Sequence, residues 1–393
     1  APVTAWDQNG NKAHWRNREE NQPFFSVFNF DVTHESKLWL HRDKPLTVDP
    51  SSVLLPPYFP DTEIVRNDVA RNYSNIELLD KMIGKLIQEL KDDGLFDNTY
   101  IFFFSDHGGP LPRGKRSHYE SGLKVPMIIR DPYEKKIRYV EDQISFVDLA
   151  PTILSLSGLN IPVHFQGSAF MGEKKSEIFR DYIFGSGDRF DETYDRVRSV
   201  ISKKFIYVRN YHIDRPAYKD VLYRKNIDMT NHMLELYEED KLNSDQKYWY
   251  RESKTKEEFY VRSDDPHSLK NLILDETYTD EINKHRLALN NWQDEINDIG
   301  EESEKKYLDK MWPRGIQPKS RKPDVTVEDK ILTIKSNTKG ASNAFIFSDN
   351  DFNPSLDDGW KLYNEPVKVN KAYIYVISTR LGFEDSDIIK IKL

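Results

Sequence analysis

Cysteine is absent from this 393-residue chain. Its absence removes disulfides, thiolate metal sites and a cysteine nucleophile from the sequence as it stands. Long apolar runs are missing too. No stretch approaches the ~18–20 residues that span a bilayer, so no membrane span is expected. The opening residues, APVTAWDQNGNKAHWRN, show neither a basic nor an apolar leader pattern, which leaves the compartment open. The third thing lacking is an excess of positive charge: 57 Lys and Arg face 65 Asp and Glu, for a net charge of −8. Nucleic acid is therefore not an expected partner, because binding a polyanion by charge requires a basic surface. A local basic pocket for a small anion stays open.

Hydrophobic residues make up 38 % of the chain and aromatics 12 %, enough for genuine cores. The length exceeds what one core ordinarily serves, and three regions are expected. Residues 1–165 alternate short apolar runs with one long amphipathic pattern. PFFSVFNF (23–30) reads as a buried strand, and a helix runs from Asp61 toward Gly94. Two more strands are predicted over 99–104 and 125–130, and 145–159 reads as a helix kinked or started late by its proline. Such alternation predicts an α/β layer with a mainly parallel sheet. Residues 166–315 read as a smaller α+β block. It holds a hairpin over 194–211 turning at Lys203-Lys204, a charged helical stretch over 229–250, the strand EEFYV, and a helix over 278–297. Residues 316–393 alternate polar and apolar positions between turns, which predicts a β-rich, sandwich-like appendage.

Chemistry concentrates in YIFFFSDHGGPLPRGKRSHYESGLKVPMIIR, residues 100–130. An apolar run ends in Ser105-Asp106-His107-Gly108-Gly109, and Arg113, Lys115 and Arg116 follow. Ligands of α/β sheets bind where strands end and loops emerge. Adjacent Asp106 and His107 can converge there on one cation; equally, Asp106 can cap a turn while His107 packs at the surface. A divalent cation together with a lysine ammonium binds and polarises a tetrahedral oxyanion. His34, in DVTHES, follows the apolar run 23–30 and is placed at the same rim, with a solvent-facing loop histidine as the alternative reading. Two strand-end histidines and a lysine point to an anion-processing centre.

SDHG…GK…YESGLKVPMIIR resembles the C-terminal half of a type I, formylglycine-dependent sulfatase of the alkaline phosphatase superfamily. QPFFSVFNFDVTHES, the helix-and-strand segment RNDVARNYSNIELLDKMIGKLIQELKDDGLFDNTYIFFFSDHG, DLAPTILSLSGL and EEFYVRSDDPHSLKNL agree in order. The likeness covers roughly residues 14 to 298 and is nearest to the polysaccharide sulfatases of bacteria. It implies an alkaline-phosphatase-like sheet flanked by helices, N-terminally incomplete, with a smaller α+β subdomain. Asp106 and His107 match the second pair of metal ligands. The metal implied is Ca²⁺, ahead of Mg²⁺ or another divalent ion. Lys115 matches the lysine on the sulfate oxygens, and His34 the histidine on the sulfate or the leaving oxygen. Arg113, His118 and Glu120 share the Lys115 loop and are candidates to line the sugar site. Asp188 and Arg189 are further candidates for substrate contact, with a surface ion pair as the alternative.

One departure matters. The family's formylglycine arises in a Cys/Ser-x-Pro-x-Arg segment, which this sequence lacks, as it lacks the first pair of metal-binding aspartates. Both are expected upstream of Ala1, together with a formylglycine-generating or anaerobic maturation enzyme as partner. The substrate implied is a sulfated oligo- or polysaccharide, such as ulvan, carrageenan or a glycosaminoglycan, and the implied location is periplasmic or secreted. A phosphoester or phosphonate hydrolase of the same superfamily is one alternative; a non-catalytic sulfated-glycan-binding protein is the other.

Overall fold

The computed structural model describes residues 3–356 and 358–393. They divide into two compact units, Phe30–Gly300 and Ala1–Asn29 with Glu301–Leu393.

In the first unit a short helix α1, Ser36–Leu40, precedes the long α2, Glu63–Asp92. The α2 start is capped by Thr62 Oγ1, which accepts from the Val65 amide, and Asp61 pairs with Arg66. Its end is a Schellman closure. Gly94 takes φ +69°, its amide bonds the Lys91 carbonyl, and the Leu95 amide reaches back to Leu90 at 2.9 Å. Val65, Val69 and Ala70 of α2 enter a core with Leu38, Phe59, Ile227, Met229, Trp249 and Tyr250.

Strand β1, Ile101–Phe104, pairs antiparallel with β2, Met127–Arg130. The intervening segment, with its one-turn helix α3, Glu120–Leu123, is therefore anchored at both ends. α4, Leu149–Leu156, starts late as its proline requires: a Ser145/Asp148 capping box and one 3-10 turn precede it, and Pro151 sits in its first turn.

The next sheet, in the order β3-β4-β5-β6, contains Ile183–Phe190, Thr193–Ile201, Phe205–Asn210 and Glu257–Val261, all antiparallel. Between β5 and β6 lie α5, Asp228–Glu238, and α6, Ser244–Lys247. Alternation along β4 and β5 gives the sheet two dry faces. Val200, Tyr207 and Phe259 pack with Ile282 and Leu289 of α7, Thr279–Glu295. Val197, Ile206 and Val208 pack with Tyr119, just downstream of the Lys115 loop.

Three expectations are corrected. The class is mixed α/β, but every ladder between the named strands is antiparallel. Short apolar runs do not encode direction, and the β1–β2 connection folds back on itself, with the Gly108 amide bonded to the Gly122 carbonyl at 2.9 Å. Residues 23–30 form no strand: a run needs a ladder partner, and none pairs with it among the described residues. Phe24 and Phe28 instead pack on the Trp15 ring, and Phe25 on Trp6. The helix expected over 229–250 is broken between α5 and α6, because Asp240 adopts φ +57° and Asn243 caps a new start.

The second unit contains α8, Glu304–Met311, and seven strands, β7 to β13: Asp324–Glu328, Ile331–Lys335, Ser342–Ser348, Lys361–Leu362, Val367–Lys368, Tyr373–Thr379 and Ile389–Lys392. They form one sheet in the order β10-β9-β12-β13 and another in the order β11-β8-β7. Leu332 and Ile334 of one meet Phe345, Ile374 and Val376 of the other in a shared apolar layer.

Candidate active site

At the end of β1 the chain turns through Ser105–Gly109. A Cβ on Gly108 would lie 2.0 Å from the Ser121 carbonyl oxygen, so only glycine lets this turn close against the α3 start. His107 Nδ1 lies 2.8 Å from the Gly108 carbonyl. A carbonyl only accepts, so Nδ1 carries the proton and the Nε2 lone pair is left available. That lone pair lies 3.6 Å from Asp106 Oδ2, and the Asp106 carboxylate is 87 % exposed.

His34 has the opposite tautomer. Its Nδ1 accepts from the Ser36 amide at 3.2 Å, with Ser36 Oγ at 2.9 Å, which places its proton on Nε2. Burial first, then the Lys115 ammonium, holds its pKa below the usual histidine value, with Glu35 opposing them. His34 and Lys115 thus lie within one electrostatic neighbourhood, joined through Glu35.

Lys115 is oriented by the residue that follows His34 in the chain. Glu35, with a fully buried carboxylate, holds Lys115 Nζ at 3.1 Å and takes both Arg116 terminal nitrogens at 2.8 and 2.9 Å. Burial pushes the Glu35 carboxyl upward, but Arg116 and Lys115 outweigh it, and the group sits below its ordinary range. Arg116 also pairs with Asp191 at 2.5 Å. From beneath, buried Arg224 donates to the Lys115 carbonyl at 2.7 Å. The sequence signal for Glu35 was its position beside His34. Arg224 had none, since it lies 109 residues downstream of the carbonyl it holds.

Some expected contacts are elsewhere. Arg113 is 1 % exposed, donates to the His267 and Ser268 carbonyls, and lies between the Tyr58 and Tyr119 rings. It tethers the loop rather than lining a sugar site. His118 is buried, edge-on to Phe190 and against Gly187, which removes it from substrate contact. Asp188 is bound by Arg198, which also pairs with Asp298; this is a framework ion network. Arg189 is exposed and donates to the Asp191 carbonyl at 3.3 Å, near the Arg116 partner. Glu120 pairs with Arg262 at 2.6 Å.

The donor chemistry at Asp106 and His107 suits two positions of a divalent-ion shell. One offers an exposed carboxylate; the other an imidazole whose second nitrogen is fixed by a carbonyl, the usual support of a metal-ligating histidine. No group of three such side chains occurs among the described residues, so the pair would supply part of a shell. No helix among the described residues is long and apolar enough to cross a membrane.

Comparisons with known proteins place the chain among sulfatases. The family pattern described as sulfatase matches residues 11–159, and that of the N-sulphoglucosamine sulphohydrolase C-terminal region matches 113–245. An ulvan-active sulfatase of Formosa agariphila is 37 % identical across 100 % of this chain and 72 % of its own length. Human N-sulphoglucosamine sulphohydrolase is 29 % identical over 65 % of this chain and 53 % of its own length. The solved structure of a 2-O GAG sulfatase superposes with a TM-score of 0.45 at 16 % identity, over 72 % of this chain and 55 % of that one. On the relationship to the ulvan-active enzyme, aligned over its whole length, this chain belongs to the sulfatase family of sulfuric ester hydrolases, in the alkaline phosphatase superfamily.

Proposed function

We propose that the Asp106–His107–Lys115–His34 rim is the distal part of a sulfate-ester site acting on a sulfated carbohydrate, with an ulvan-type polysaccharide as first candidate. The carrying observation is that Glu35, next to His34 in the chain, holds the Lys115 ammonium, while His107 keeps a lone pair beside the Asp106 carboxylate and His34 keeps its N–H on Nε2. When bound at Asp106 and His107, a divalent cation, Ca²⁺ ahead of Mg²⁺, supplies Lewis-acid polarisation of a sulfate oxygen. Lys115 neutralises charge on the sulfate oxygens, and Glu35 fixes its direction before substrate arrives. His34 Nε2–H donates to the oxygen that leaves with the sugar. The formylglycine nucleophile is expected from a Cys/Ser-x-Pro-x-Arg segment outside these 393 residues, matured by a dedicated enzyme. A periplasmic or secreted location accords with a polymeric substrate.

The test is a paired assay. A polypeptide carrying these residues together with that segment should release sulfate from ulvan oligosaccharides and hydrolyse aryl sulfate well ahead of aryl phosphate. Residues 1–393 alone should release none. Preference for the phosphate ester would select the phosphohydrolase alternative, and glycan binding without desulfation the binding-protein one.

A further inference from the structure

Beside His34 the structure places an aromatic surface that none of the chemistry above uses. Tyr223 belongs to a 3-10 turn, Leu222–Asn226, and is 41 % exposed. Its ring lies 6.2 Å from the His34 ring and 5.1 Å from Trp39, which it meets edge-on at 75°. Trp39 itself packs on the core under α2, so the Tyr223 ring rests on a fixed base. The turn that carries it is tied to the anion rim, because Arg224 bonds the Lys115 carbonyl and the Leu222 amide donates to Glu192 at 2.6 Å. An aromatic ring packed edge-on against Trp39, left partly open to solvent and carried on a turn bonded to a polar site, is an arrangement with little structural purpose of its own. Tyrosine offers flat apolar area and a polar tip at low entropic cost.

We infer that Tyr223 is the platform for the sugar ring carrying the sulfate ester, and so a specificity-determining residue. This rests on the sulfate-ester reading above. The sugar carbon lies one bond from the ester oxygen, so a sulfate held at Lys115 with its ester oxygen at His34 brings the pyranose ring beside Tyr223. The C–H face of a pyranose is apolar and stacks on an aromatic face, while its hydroxyls point outward to polar groups. Inorganic sulfate has no ring to stack. Tyr223 therefore adds affinity for the sugar and none for the anion.

Binding separates the two contributions. Residues 1–393 would be titrated calorimetrically with sulfated ulvan oligosaccharide, its desulfated counterpart and inorganic sulfate, in parent, Tyr223→Ala, Tyr223→Phe and Lys115→Ala forms, with thermal melts as a folding control. Tyr223→Ala should weaken the sulfated oligosaccharide about fivefold to tenfold, the scale of one aromatic contact, and leave inorganic sulfate unchanged. Tyr223→Phe should bind as the parent does, since the ring is kept. Lys115→Ala should lose both sulfated ligands. Unchanged oligosaccharide binding by Tyr223→Ala, with Lys115→Ala still defective, overturns the platform and leaves the anion site standing. Sulfated-ligand binding that Lys115→Ala does not alter overturns the anion site itself, and the platform with it.

Discussion

Glu35→Ala is expected to destabilise the Phe30–Gly300 unit by about 3–5 kcal/mol and to remove sulfate binding with it. Removing one partner of a buried pair strands the other charge, and that penalty is of this size. Here one carboxylate serves two cations. Its side chain is fully buried, Arg116 is 9 % exposed, and Lys115 completes the cluster. The loop also stores backbone strain. Arg113 and Arg116 have φ of +63° and +74°, conformations that for non-glycine residues persist only where neighbouring contacts hold them, at about 1–3 kcal/mol each. Arg113 is held by two carbonyls and two rings, and Arg116 by Glu35 and Asp191. Without Glu35 the Arg116 anchor is halved and the ammonium of Lys115 loses its direction. Urea melts and sulfate titration of Glu35→Ala and Glu35→Gln check this. The glutamine variant should lose less stability, since it keeps one acceptor, yet bind sulfate more weakly than the parent.

A second large effect is a hidden acid response. His118 is held down to about 4 from an ordinary 6.5, by burial first and then by the nearby Lys219 ammonium. The unfolded chain then binds the proton more readily than the folded one, so stability is lost as pH falls from 6.5 toward 4, by about 3 kcal/mol. Asp68, 8 % exposed beneath the α5 start, acts in the opposite direction. Burial raises its carboxyl from 3.8 to about 6, so protonation favours the folded form and stability is gained as pH falls from 6 toward 3.8, again by about 3 kcal/mol. The two nearly cancel in the parent, and single substitutions uncover them. Relative to the parent, Asp68→Asn should lose about 3 kcal/mol between pH 6.5 and 4, and His118→Gln should gain a similar amount. Denaturant midpoints across that range measure both, and parallel curves for all three proteins would contradict the assignment.

The parts of this molecule legible in the sequence are those with a period or a punctuation mark. The α2 helix, its glycine stop, the β4–β5 hairpin and the late start of α4 follow from spacing, capping and one proline. Direction and partnership are written elsewhere. The apolar run 23–30 looks like a strand because its residues favour one, but a strand exists only where another chain segment completes its ladder. The same limit governs the site. Asp106, His107, Lys115 and His34 stood out because unusual residue types cluster at apolar-run ends. Glu35 and Arg224 did not, because their importance lies in contacts spanning 81 and 109 residues. Arg113 and His118 were read as substrate contacts because a cationic loop suggests a surface. Loops carry no periodicity from which burial can be inferred, and both side chains point inward.

A crystal structure of the protein with a sulfated ulvan oligosaccharide tests the central claim most directly. The account predicts the sulfate group within hydrogen-bond distance of Lys115 Nζ, with His34 Nε2 on its ester oxygen. A sulfate bound elsewhere, with Lys115 and His34 both facing solvent, would contradict it.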